Sequence, residues 1–159
     1  MTADIHHAIN STLTITFVIQ LNVFDGAIPF TFNTVHYGHG PDIYFLGSKI
    51  HWNTGDSGEN PFSNSIFPST TSAHIFTVKN DQAHNQTDLY VDGQYVGNAI
   101  YRDTSINDFS ESRFYMGNWV AGNYFMNGYF AELIIYNKLI DDTERGQLES
   151  YLKTKWAIP

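Results

Sequence analysis

Between residues 12 and 21 the chain reads TLTITFVIQL, with Leu13, Ile15, Phe17, Ile19 and Leu21 alternating with Thr12, Thr14, Thr16, Val18 and Gln20. A period of two puts alternate side chains on opposite faces of an extended chain. The run therefore predicts a strand with one apolar and one Thr-rich face, as in an antiparallel sheet. It ends at Asp25-Gly26, a turn signal.

Shorter β patterns follow at 30–37, 43–46 and 49–53, with the turn cluster GHGPD at 38–42 between the first two. The long polar loop 53–72 carries Phe62, Ile66 and Phe67, which are expected to pin it to the body. Alternation returns at 74–79. In LYVDGQYVG, residues 89–97, Asp92-Gly93 between two β-rich arms predicts a hairpin with a two-residue type I′ turn. A strand at 113–117 leads into the aromatic loop NWVAGNYFMNG, residues 118–128. The last strand, 129–136, holds Tyr129, Ala131, Leu133 and Ile135 on one face and Phe130, Glu132, Ile134 and Tyr136 on the other. With both faces largely apolar, it is expected to be central or covered.

The period then changes. Asp141 can cap a helix and Glu144 can answer it in a capping box, after which Leu148, Leu152 and Trp156 recur every four residues beside Tyr151. A short helix is predicted to lay this stripe, Trp156 included, on the sheets. Gly146 is its weak point, at about 1 kcal/mol relative to Ala. Nine to eleven strands and one terminal helix make a two-layer antiparallel sandwich in a single domain over 1–159, with no internal repeat or linker.

Composition agrees. Charged residues are 15% of the 159 against 16% aromatic, with ten Tyr, twelve Phe and twelve Gly. That mixture suits a β-rich core under a polar, uncharged surface and argues against a helical bundle. A formal charge of −8 with scattered basic residues leaves no footprint for a phosphate backbone, so nucleic acid is not an expected partner. Cysteine is absent, which excludes disulfides, thiolate metal ligands and thiol nucleophiles. The N-terminal MTADIHHAINSTL lacks the basic and apolar regions of a signal peptide, and no stretch approaches the roughly 20 apolar residues of a spanning helix, so membrane insertion is not expected.

The succession LYVDG, FYMGN and NGYFAELIIYNKLIDDTERGQLESYLKTKW resembles the C-terminal half of the concanavalin A-like lectin and laminin-G-like jelly-roll superfamily, especially its bacterial and phage members. The likeness is strongest over 88–156 and weaker over 10–80. It implies an all-β jelly-roll sandwich closed by a short C-terminal helix, and those motifs are scaffold features that do not assign a task. Such domains often begin with a further strand or a Trp-containing segment, whereas here the first clear strand starts near Thr12. Two readings stand, a domain of a longer fibre or surface protein and a shortened variant.

Glycosidases of the superfamily pair carboxylates on one strand, because an acid and a nucleophile or base must both face the scissile bond. Glu132 has no acidic partner at 130 or 134, so a structural hydrogen bond is its simpler role, and Asp92, four residues after Asp88, is a turn former. There is no GxSxG elbow and no HExxH spacing among the seven His. His36 and His39, with Asp42 as a third ligand, are the transition-metal candidates, and His6-His7 lies in a terminus expected to be mobile. The resemblance also implies a loop-rim Ca²⁺. Asp56, Glu59 and Asn60 offer the hard oxygen ligands for it without an EF-hand pattern.

A saccharide site needs flat rings for apolar sugar faces and amides or carboxylates for hydroxyls. Two loops carry that mixture: Asn118, Trp119, Asn123 and Tyr124, and His51, Trp52, Asn53 and Asp56. Trp119 and Trp52 read equally well as edge-of-core aromatics. The expectation is a non-catalytic lectin-like module binding a cell-surface glycan or surface protein. The resemblance places it on an extracellular or virion surface of a bacterium or phage, displayed in an oligomeric assembly. The alternatives are a protein-assembly or capsid/fibre decoration module and, less favoured by the residues, a glycan-processing enzyme.

Overall fold

The structure is a computed structural model that describes residues 2–4, 12–33, 42–47, 49–53, 60–62, 69–100, 113–117 and 125–159. The strands among them are β1 (Thr2–Asp4), β2 (Leu13–Val23), β3 (Phe30–Asn33), β4 (Asp42–Leu46), β5 (Lys49–Asn53), β6 (Asn60–Pro61), β7 (His74–Asp81), β8 (Gln86–Val91), β9 (Gln94–Ile100), β10 (Arg113–Met116) and β11 (Asn127–Tyr136), followed by helix α1 (Asp142–Trp156). They form a six-stranded sheet, β1-β10-β3-β4-β5-β6, and a five-stranded sheet, β11-β2-β7-β8-β9. Every pairing is antiparallel.

The core lies between the sheets. Phe17 is at its centre, stacked on Phe76 at 5.1 Å and meeting Phe30 edge-on at 5.1 Å, with Phe130 at 6.2 Å. Ile43, Phe45, Ile50, Trp52 and Phe62 face it from the other sheet. Full burial of each such side chain contributes about 1.5–3 kcal/mol. Phe62 pins its loop as expected, its amide donating to Ile50 O at 3.0 Å, while Ile66 and Phe67 lie outside the described residues.

The hairpin forms where DG predicts it. Asp92 and Gly93 have φ of 53° and 92°, the two positive values of a type I′ turn. The capping box is also present: Asp141 Oδ1 accepts from Glu144 N at 2.8 Å, and Glu144 Oε2 from Asp141 N at 3.0 Å.

Three expectations need correction, and the Thr face of β2 adds an outcome that the alternation left open. A strand, β1, precedes Thr12 and pairs with β10; three residues are too few for a period to show. The Thr face of β2 is as buried as its apolar face, because α1 packs over it. β11 is covered, as Ile134 packs against the cluster of Val18 and Leu152, but it is an edge strand and not a central one. A bulge breaks its alternation: Phe130 pairs with Ile19 but Glu132 with Val18, leaving Ala131 unpaired. The extra residue brings Phe130 onto the core face with Leu133 and Ile135, and leaves Tyr129 exposed. Finally, Trp156 is 39% exposed and outside the core. Four-residue steps on a helix of 3.6 residues per turn drift about 40° each, so the stripe that buries Leu152 has rotated off the sheet by Trp156. Ile158, after the helix, packs beside Leu152.

Gly128 marks a close approach. A Cβ there would sit 2.0 Å from Gln20 O, so the β2–β11 pairing at this point requires glycine.

Candidate functional site

The β10–β11 connection carries the first predicted binding cluster. Asn118, Trp119, Asn123 and Tyr124 themselves lie outside the described residues. Its two ends are described and tied together. Gly117, at φ 82°, donates its amide to Pro29 O at 2.8 Å, and Met126 N donates to Gly117 O at 2.8 Å. The segment thus leaves and rejoins the sandwich at one hydrogen-bonded neck.

At its foot stand exposed groups that the strand pattern did not single out. Phe125 and Tyr129 are 65% and 69% exposed, Val23 is half-exposed, and Asn22 Nδ2 donates to Asn127 Oδ1 at 3.1 Å. The signal for these residues was the ring density of YFMNGYF, in which Phe125 reads as part of the aromatic loop and Tyr129 as the start of the last strand.

Of the second predicted cluster, Asp56 lies outside the described residues, and the two rings turn out to be buried. Trp52 faces the core with Ile50, opposite Ile43 and Phe45 of β4, and is fully buried, which removes it from any exposed stacking platform. The reason is the period of two: residues 50 and 52 share the inward face, and a large apolar ring gains most from it. His51 points the other way and is buried, stacked with Tyr44 at 4.7 Å. Asn53 closes β5 opposite Asp42.

Of the hard-oxygen set, Asn60 opens β6 opposite Trp52, whereas Asp56 and Glu59 lie outside the described residues. His6, His7, His36 and His39 also lie outside them, and Asp42 opens β4. Among the described residues no group of three or more His, Cys, Asp or Glu could hold a metal ion.

Glu132 is engaged at both oxygens. Trp156 Nε1 donates to Oε2 at 2.7 Å, and Lys155 Nζ to Oε1 at 3.0 Å. Burial pushes its pKa up, but the hydrogen bonds from Trp156 and Lys155 outweigh that and hold it below the usual carboxylate value. This is the structural role expected of it.

Asp92 does more than turn the chain. Its Oδ1 accepts from Ile75 N at 2.9 Å and its Oδ2 lies 2.7 Å from His74 Nδ1, while His74 Nε2 lies 3.0 Å from Ser72 Oγ. The order Ser–His–Asp is that of a nucleophilic triad. Here the imidazole is buried, and the same aspartate also exchanges backbone bonds with β7 through Asp92 N to Ile75 O at 2.8 Å. The three residues staple the hairpin tip to the start of β7.

Two antiparallel sheets enclosing an aromatic core, with one C-terminal helix packed outside them, define a lectin-type sandwich. The chain belongs to the concanavalin A-like lectin/glucanases superfamily, whose family model matches residues 2–144. Among curated proteins none matches the chain.

Solved structures share the fold at low identity. The heptameric SAP-like pentraxin of Limulus polyphemus has a TM-score of 0.71 at 11% identity, over 88% of this chain and 70% of that one. The CBM40 of the Ruminococcus gnavus IT-sialidase, bound to α2,3-sialyllactose, gives 0.61 at 14%, over 89% and 84%. The binding domain of botulinum neurotoxin DC, in complex with SialylT, gives 0.66 at 16%, over 95% of this chain and 38% of that one. These likenesses are of fold. No described helix is long and apolar enough to cross a membrane.

Proposed function

We propose that this chain is a non-catalytic module that binds a carbohydrate on a cell-surface partner, in the setting of a bacterial or phage surface. The observation that carries the reading is the tied neck at Gly117 and Met126. The sequence between those two ends carries Asn118, Trp119, Asn123 and Tyr124, and Phe125 beside the neck is exposed. Rings cover the apolar face of a sugar and short amides bind its hydroxyls. The sialyllactose and SialylT complexes of two structures with this fold support the reading.

Two features complete the proposal. Calcium at the 54–60 loop would be held by Asp56, Glu59 and Asn60, two carboxylates and an amide that suit a hard cation. Display on an oligomer would multiply weak sites, and the pentraxin with this fold is a heptamer. A second reading, protein recognition within a surface assembly or fibre, is favoured by the exposed apolar group Val23, Phe125 and Tyr129.

A glycan array run with calcium and again with a chelator tests both parts, with Trp119→Ala as the paired variant. Binding that Trp119→Ala abolishes without unfolding the protein is the expected result. Chelator sensitivity would support the metal, and chelator resistance would remove it while keeping the lectin. Silence from a folded protein in both runs would favour protein recognition instead.

A further inference from the structure

At the far end of β11 the chain turns through residues 137–141 and enters α1. Thr14 holds this turn from below: its Oγ1 donates to Lys138 O at 3.0 Å and accepts from Ile140 N at 3.1 Å. Between the turn, the strand end and the helix lies a cleft of about 360 Å³ lined by Tyr136, Ile140, Glu144, Gln147, Leu148 and Tyr151. Residues 144, 147, 148 and 151 follow one stripe of the helix, so the period that builds α1 also builds this wall. The capping box and Thr14 fix both sides of it in place.

The chemistry of the lining selects a ligand class. Glu144, the one carboxylate of the lining, is paired with Lys138 Nζ at Oε1 and accepts from the Asp141 amide at Oε2, so the lining itself carries no unpaired charge. Its remaining polar groups are neutral. The Gln147 amide and the Tyr136 hydroxyl make no hydrogen bond to another described residue. Beneath them Ile140 is buried and Leu148 half-buried, and Tyr151 adds a half-exposed ring. Apolar floor, phenol rings and free neutral donors and acceptors are the groups that receive an uncharged polyhydroxylated ring.

We propose that this cleft is a second binding site, for a neutral pyranoside, separate from the β10–β11 loop. The ten residues of β11 run between the two places and span about 33 Å at roughly 3.3 Å each. The site therefore stands or falls independently of the loop. A chain with both would engage glycans at two ends, and its balanced charge would make this end prefer neutral over acidic sugars.

The test is an amide chemical-shift titration of the ¹⁵N-labelled full chain with methyl β-D-glucopyranoside and methyl α-D-mannopyranoside, with sodium glucuronate as the acidic comparison. The expected result is saturable shifts confined to residues 136–151 with at least one neutral glycoside and weaker shifts with glucuronate. Gln147→Ala and Tyr151→Ala should each raise the half-saturation concentration about tenfold, as for loss of one hydrogen bond or one ring face. Both side chains are exposed, so thermal unfolding should stay unchanged, and Trp119→Ala should leave the titration as in the parent. The proposal is overturned if neither glycoside shifts these amides at high millimolar concentration. It is equally overturned if glucuronate binds as well or if both cleft variants titrate like the parent.

Discussion

Along β2, Leu13, Ile15, Phe17 and Ile19 meet the opposite sheet while, on the side of α1, Thr14 bonds the turn before the helix, Thr16 bonds Thr77 and Val18 packs with Leu152. All seven of these β2 residues are 1% exposed or less. The inner face is held by apolar contact, with the rings of Phe17, Phe30 and Phe76 at its centre. The outer face is held by a chain of directed bonds. Thr16 Oγ1 donates to Thr77 Oγ1, Thr77 Oγ1 to Glu149 Oε1, and Arg145 Nη1 to both Glu149 oxygens at 3.2 and 3.0 Å and to Gly93 O at 3.3 Å. The guanidinium also lies 4.0 Å over the Tyr90 ring.

Apolar packing tolerates small rearrangements, whereas each of these bonds has a direction and a partner. The outer face therefore specifies where along the sheet the helix sits, and the Gly93 contact carries that placement to the β8–β9 turn. The same placement sets the wall of the cleft at the start of α1.

Substitutions that empty one face at a time would break or sharpen this contrast. Phe17→Ala should be the most damaging, costing about 3–5 kcal/mol through lost transfer energy and the cavity left among its rings; urea unfolding reads it directly. Arg145→Met should cost about 3 kcal/mol by stranding the buried Glu149 carboxylate, and adding Glu149→Leu should recover most of that loss. A loss under about 0.5 kcal/mol for Arg145→Met, the range of ordinary surface changes, would show that the outer face is not a second interior.

Smaller effects probe the borders of the helix-covered face. Gly146 has open space where a Cβ would go, so Gly146→Ala should raise stability against urea by up to about 1 kcal/mol. A fall in stability would place a further neighbour over that helix face. At the rim, Glu132 has a lowered pKa, so its contribution is present above the ordinary carboxylate value and is lost as pH falls through its folded value. Thermal unfolding in a series of acidic buffers should show a shallower pH slope for Glu132→Gln than for the parent. Parallel curves would mean that the Trp156 and Lys155 bonds do not persist in solution.

Much of the sandwich is legible in the order of its residues. The alternation of β2, the DG hairpin and the Asp141–Glu144 capping box depend on residues within a few positions of one another, and all three form as read. The structural role of Glu132 is also legible, because no acidic neighbour stands at 130 or 134. Legibility fails where one residue changes the count or a distant element decides the outcome. The unpaired Ala131 moves Phe130 to the core face, and helical drift carries Trp156 to the rim. Inward parity buries Trp52, which its setting among loop-like residues had made a site candidate. The foot of the β10–β11 loop is hidden in the same way, since Phe125 and Tyr129 read as strand or loop aromatics until the neck and bulge are in place.

The sequence by itself determined the two-sheet class, the strand runs, the turn at Asp92-Gly93 and the capped terminal helix, because period and turn chemistry are local properties. Tertiary structure alone decided that the threonines of β2 are interior, that β11 is an edge and that a cleft opens beside α1. Those outcomes rest on contacts such as Thr14 with Ile140, 126 residues apart, and a local pattern carries no record of what will come to cover it.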